Sequence, residues 1–254
     1  METQSPGGMG TLWAARTGLT LAVVGLVMVL ASGWGYRHGW WGLRVALRGV
    51  FAGGGAIALL GCAASLAALG LAIARQSRGA ALALVGVIIG AGPAAAFYRQ
   101  YRLARAVPPI NDISTDLVNP PVYVTAAANA FWKGKDLRYP DGFADSVRRG
   151  YPDLRSLTLP LPAARAFALA LATARGQSGW EITGTDSAAG RIEATATTSW
   201  FGFKDDIVIR ITPQGTGSTI VAMRSKSRVG KSDLGANARR IRDYFAALRH
   251  AVAP

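Results

Sequence analysis

The sequence predicts an α-helical membrane anchor of three transmembrane helices followed by an α+β soluble domain, an antiparallel four-stranded sheet flanked by two helices. Charge distribution is the first reason. Residues 1–106 hold nine Arg, no Lys and one acid, Glu2, whereas residues 107–254 hold 19 Lys plus Arg against 13 Asp plus Glu. Second, three runs in the first part stay uncharged for about twenty residues, enough to cross a hydrocarbon core of about 30 Å. Third, the later residues change to amphipathic periods, helical, then alternating, then helical again. The division falls at 1–106 for the anchor and 107–254 for the domain.

The predicted spans are Thr17–Gly35, Gly49–Ala74 and Gly79–Phe97. Arg37, Arg44 and Arg48 separate the first two, and Arg75 and Arg78 the second and third. Trp34, Tyr36, Trp40 and Trp41 cluster at the first boundary, with Tyr98 and Tyr101 at the last, where amphipathic rings favour a membrane interface. A cleaved signal peptide is the rival reading of the first span, with small residues at Ala31-Ser32-Gly33; a long apolar core and no basic N-terminal run argue against it. Gly49–Gly53 and Gly86–Gly90 fit the small-xxx-small pattern for close helix packing, here read as packing within one chain. Pro93 is expected to kink the third helix. No ionisable group lies inside a span, which argues against a pump or coupled transporter. Arg16, Arg75 and Arg78 fall on one side and six Arg on the other, with the domain. That count leans towards a cytoplasmic domain, and the side stays undecided.

Two Pro pairs, Pro108-Pro109 and Pro120-Pro121, stiffen a strap that leads into the domain. Val122–Ala130 reads as a short helix and Phe131–Leu159 as an irregular packed loop. A helix is predicted over Pro162–Arg175, with Ala164, Phe167, Ala168 and Leu171 at helical spacing. Strands follow at Trp180–Thr185, Arg191–Ser199, Asp205–Thr212 and Thr219–Ser227, joined by short Gly-containing turns that suggest a meander. Ile192, Ala194 and Ala196 share one face, while Arg191, Glu193 and Thr195 share the other. A last helix runs over Asp233–Ala251 with Ser232 as its N-cap, and Leu234, Ala238, Ile241, Phe245, Leu248 and Val252 form its apolar stripe.

Three segments, Pro108–Asp116, Phe201–Asp206 and Ser225–Asn237, resemble a bacterial membrane-anchored family of unknown function, number 1499 (domain of unknown function 1499). The resemblance covers about residues 107–250. It implies a bacterial membrane-anchored protein, placed here in the inner (plasma) membrane as a multi-pass chain, and it implies no activity.

Chemistry-bearing residues are sparse. Cys62 is the only cysteine, so an intrachain disulfide and a thiolate zinc cluster are excluded, and His38 and His250 are the only histidines. Asp112, Asp116, Asp205 and Asp206 could converge to bind Ca²⁺ or Mg²⁺ or to support hydrolysis. The alternative is that Asp112 and Asp116 cap turns, Asp205 and Asp206 pair with Arg210 or Arg224, and Asp233 complements a helix dipole. Arg224, Lys226, Arg228, Lys231, Arg239 and Arg240 form a basic group near Gly230 and Gly235, suited to an anionic ligand or lipid headgroup. Its alternative is a solvated face offset by acids. Gly230-Lys231-Ser232 lacks the upstream Gly of a phosphate loop, since position 225 is Ser. Basic residues without interleaved aromatics disfavour nucleic acid. The sequence thus points to a non-enzymatic envelope protein binding an anionic ligand, lipid headgroup or another envelope protein. No cofactor is expected; the alternative is a membrane-bound hydrolase.

Overall fold

Small residues decide how the first helices meet. The computed structural model describes residues 6–252 and divides into two compact units. The first runs to Arg102 and takes in Trp200–Gly202; the second holds Leu103–Ser199 and the chain from Phe203. Helix α1 spans Pro6–Arg37, a π-helical stretch Val45–Phe51 leads into α2 (Ala52–Ala74), and α3 spans Ala80–Ala106. All three are long and apolar enough to cross a membrane. Two extend beyond the predicted bounds. Arg16 lies within α1, and Arg99, Arg102 and Arg105 within α3, because Arg is a good helix former and does not stop a helix.

The buried positions of α1 include Thr11, Ala15, Gly18, Ala22, Gly25, Val29 and Ser32, which step alternately by four and three. Those of α2 include Gly54, Ala58, Gly61, Ser65, Ala68 and Ala72, with the same steps. This heptad rhythm keeps one seam in register along two helices. The backbones touch: a Cβ on Gly25 would lie 2.3 Å from the Ala58 nitrogen, and one on Gly61 2.3 Å from that of Ala22. Helix α3 buries Ala83, Gly86, Gly90 and Pro93. Gly86 meets Ser65, and Gly90 meets Ala58 and Cys62. The Gly86–Gly90 motif therefore packs helices closely. Gly49 and Gly53 do not: Gly49 faces only Val45, and Gly53 only the tip of Met28 at 4.0 Å.

The second unit is an antiparallel sheet of six strands, not four. Its strands are β1 (Asp112–Ser114), β2 (Leu157–Leu159), β3 (Trp180–Asp186), β4 (Arg191–Thr197), β5 (Lys204–Gln214) and β6 (Ser218–Ser227). The order is β1-β6-β5-β4-β3, and β2 also pairs with β6. The two unforeseen strands have three residues each, too few for an alternation to register. They share one edge, β1 against Arg224–Lys226 and β2 against Thr219–Val221. At the other edge β3 carries a bulge between Ile182 and Gly184, a device that blunts edge-to-edge pairing.

Helices α4 (Phe143–Gly150), α5 (Ala163–Arg175) and α6 (Ala236–Val252) complete the unit. The core gathers Ile192, Ala194, Ile207, Ile209, Val221 and Met223 from the sheet, with Ile241, Phe245 and Leu248 from α6. On α5 the buried stripe is Ala166, Ala170 and Ala174, while Ala164 and Ala168 are exposed. Alanine admits a neighbour close to the helix axis, and the Tyr244 hydroxyl reaches the Ala170 carbonyl at 2.9 Å. Helix α6 starts three residues later than predicted. Asp233 accepts from the backbone N–H groups of Gly235 and Asn237, both at 2.8 Å, in the role assigned to Ser232. Leu234, at φ +52°, precedes the helix and is not part of its stripe. Two 3₁₀ turns, Ala126–Ala128 and Ala130–Trp132, replace the short helix predicted over Val122–Ala130, and α4 and β2 form inside the segment read as loop.

Candidate functional site

Alternation along β4, β5 and β6 gives the sheet a second face, and that face is charged. Glu193, Thr195, Asp206, Arg224 and Lys226 project from it, and all are buried. The strap from Leu117 to Tyr139 covers them. Tyr123 and Trp132 pack on Val208, and the Tyr123 hydroxyl donates to the Asp206 carbonyl at 3.0 Å.

Two carboxylates organise the cations. Asp112, fully buried, receives Arg224 through Nε at 2.9 Å and Nη2 at 2.7 Å, and Lys226 Nζ at 3.0 Å. The guanidinium of Arg224 also donates to the carbonyls of Pro121 and Leu137 and lies 4.8 and 5.2 Å from the ring centres of Tyr123 and Tyr139. Asp206 receives Arg228 in bidentate fashion at 2.8 and 2.7 Å, Thr195 at 2.9 Å and the Trp132 indole N–H at 2.6 Å. Glu193 has a different task. Its carboxylate accepts the backbone N–H groups of Val124, Thr125 and Ala126 at 2.8–2.9 Å and so pins the first 3₁₀ turn of the strap.

Burial sets the electrostatics. It pushes the Tyr123 phenol up strongly, with the Asp112 charge adding to it. Burial pulls Arg224 down, but hydrogen bonds and charge from Asp112 outweigh it and leave the guanidinium raised. Hydrogen bonding to Asp206 raises Arg228 against its own partial burial. Asp233 is raised by burial despite its two backbone donors. A charge taken out of water needs a partner and satisfied hydrogen bonds, and Asp112, Asp206, Arg224 and Arg228 have both.

The residues singled out from the sequence are distributed accordingly. The four acids do not share a pocket. Asp112 and Asp206 lie under the strap. Asp205 points to the opposite face and pairs with Arg240 of α6 at 2.5 Å, while Asp116 pairs with Arg210 at 2.6 Å. Among the described residues no three His, Cys, Asp or Glu gather to hold a metal ion. The six cations are split three ways. Arg224, Lys226 and Arg228 belong to the charged face, where they are enclosed rather than solvated. Arg240 belongs to a polar corner of the helix-covered face, with Ser225, Ser227 and Asn237. Lys231 and Arg239 are exposed, and Arg239 donates to the Leu234 carbonyl at 3.1 Å. Two shallow depressions of about 560 and 540 Å³ flank the Asp116–Arg210 pair, Arg210 lining the first and Asp116 the second.

Sequence reasoning missed Glu193, Tyr123, Trp132 and Asn237 as parts of the polar arrangement. A usable signal existed for two of them: the strap is rich in rings that carry a polar atom, which suits the cover of a polar surface.

The sequence profile of a family described as Protein of unknown function (DUF1499) matches residues 112–248. The match covers more than half of the chain, and the chain belongs to that family. No curated protein and no solved structure matches it.

Proposed function

We propose that this family member is a non-enzymatic, multi-pass membrane protein whose tethered domain binds a partner protein through the outer surface of its strap. One observation carries the reading. The strap presents Val118, Val122 and Val124 at 92, 68 and 49% exposure around Pro120-Pro121, while the charged network holds the same segment from beneath. Apolar groups fixed in advance lose little entropy on association, which favours their use as binding anchors. An anionic ligand is less well supported, since Arg224, Lys226, Arg228 and Arg240 are engaged by carboxylates. A hydrolase would need two carboxylates free to hold a proton or a metal, and each of the four acids is ion-paired. The Arg count favours a cytoplasmic domain on a bacterial plasma membrane.

The test is site-specific photo-crosslinking of the intact chain in native membranes. A photoreactive residue at Val118 or Val122 should give one discrete adduct, and the same residue at exposed Arg165 on α5 should give none. Identical adducts at all three positions, or none at the valines, sink the reading. A rise in melting temperature with Mg²⁺ or Ca²⁺ would revive the hydrolase.

A further inference from the structure

We infer that the cationic turn between the first two apolar helices, carrying Arg44 and Arg48, is a binding site for the headgroup of an anionic phospholipid. The inference rests on the multi-pass reading above. Arg44 lies between two segments able to cross a membrane, Met9–Arg37 and Val45–Ala74, and Arg48 near the start of the second, and this puts both charges at headgroup level. Arg44 and Arg48 are both exposed, and among the described residues neither has an ion-pair partner. Nor is an acid close in sequence, since none occurs between Glu2 and Asp112.

Two other boundary arginines lie against rings of their own helices. Arg16 lies over the Trp13 ring at 5.7 Å and Arg102 over Tyr98 at 5.9 Å. Among the described residues no ring lies under Arg44 or Arg48. Arg48 sits within the π-helical stretch Val45–Phe51 and Arg44 caps its start. Helix segments of this type are rare and often mark functional positions. Their turn is wider than the 3.6 residues of an α-helix, so positions four apart lie closer to one line. In the site inferred here both guanidinium groups serve one phosphate.

Aromatic rings complete the surface. Trp34, His38, Trp40 and Trp41 form a chain with centroid separations of 4.5, 6.1 and 5.9 Å. Trp41 is anchored by its indole N–H to the Ser32 carbonyl at 2.9 Å, whereas Trp34 and Trp40 remain exposed. Indole rings at positions 34–41 and guanidiniums at 44 and 48, close in sequence, match the glycerol and phosphate level of a lipid.

The experiment titrates the intact chain, in neutral detergent, with phosphatidylglycerol or phosphatidylcholine and counts retained phospholipid by native mass spectrometry. The wild type should retain phosphatidylglycerol preferentially. Arg44→Gln with Arg48→Gln should weaken that retention about 30-fold, or ~2 kcal/mol at 1.4 kcal/mol per tenfold. The charge-matched control, Arg75→Gln with Arg78→Gln at the opposite boundary, should change it less than threefold. Lys at positions 44 and 48 should restore most of the preference, because the headgroup reads charge. Equal weakening in both Gln pairs would mean diffuse attraction and overturn the site, as would the absence of preference in the wild type. Displacement by millimolar inorganic phosphate would overturn it in favour of a free-phosphate site. A chain that stays dispersed in buffer without detergent would instead defeat the multi-pass reading.

Discussion

One face of the sheet is filled by Ile192, Ile207, Ile209, Val221 and Met223 beneath α5 and α6; the other, built from the same strands, by Glu193, Asp206, Arg224 and Lys226 beneath an irregular strap. Both are buried. The two covers follow from the chemistry beneath them. A helix turns its own backbone polar groups inward and offers only side chains, which suits an apolar layer. An irregular segment leaves N–H and C=O groups free, and these are what the charged face uses. Glu193 takes three strap N–H groups, and Arg224 gives to two strap carbonyls. A polar interior is thus compatible with a cover that has no regular structure, because each satisfies the other's hydrogen bonds.

Melting temperatures of the intact chain in detergent can break or sharpen this comparison. The largest effect is expected from Asp112→Ala, which strands Arg224 and Lys226 without their common carboxylate and should cost about 4 kcal/mol. Replacing all three by Leu, Met and Met should recover most of that loss, since apolar residues of similar volume substitute for buried ion pairs at little cost. On the apolar face, Ile209→Ala should cost about 3 kcal/mol through lost burial and a residual cavity. If Asp112→Ala proves much milder than Ile209→Ala, the charged face is not structural and the contrast fails.

Glu193→Gln comes next, at about 2 kcal/mol, because one amide oxygen must serve where two carboxylate oxygens took three donors. Hydrogen exchange at Val124, Thr125 and Ala126 should accelerate selectively; uniform acceleration across the sheet would mean the strap and strands open together. The smallest effect is at the surface. Hydrogen bonding from Arg242 holds the Asp153 carboxyl below its ordinary value of 3.8. A lowered folded value contributes stability above the unfolded one and loses it as the pH falls through the folded one. Asp153→Asn should therefore lower stability by a few tenths of a kcal/mol at pH 7, after screening is allowed for. The two proteins should converge as the pH falls through the lowered folded value of that carboxyl. A constant difference from pH 3 to 7 would assign the effect to something other than ionisation.

The apolar helices were legible because a run without charge has few alternative uses. β3 to β6 were legible because alternation survives over seven or more residues. β1 and β2 were not, since three residues carry no period. The charged face was misread for a physical reason. Period two shows that Arg224, Lys226 and Arg228 share a side; it is silent on whether water or a strap lies over them. Pairings such as Asp112 with Lys226, 114 positions apart, leave no local trace. The α5 stripe misled because Phe167 and Leu171 draw the eye while the alanines make the contact. Small residues were equally deceptive in α1, whose seam of Gly, Ala, Ser and Thr looks featureless without its steps of four and three.

The pairing of β1 with β6 has a consequence in time. Chains emerge from the ribosome at about 5–20 residues per second. Asp112 is therefore made roughly 6–23 seconds before Lys226, its neighbour across the ladder. Until then the carboxylate has neither cation, and the sheet edge that β1 completes does not exist. The strap is caught sooner: Trp132 needs Asp206, 74 residues downstream. The cover can thus take hold on β4 and β5 while its own upstream end hangs free, so the edge of the sheet that is synthesised first is the one that closes last.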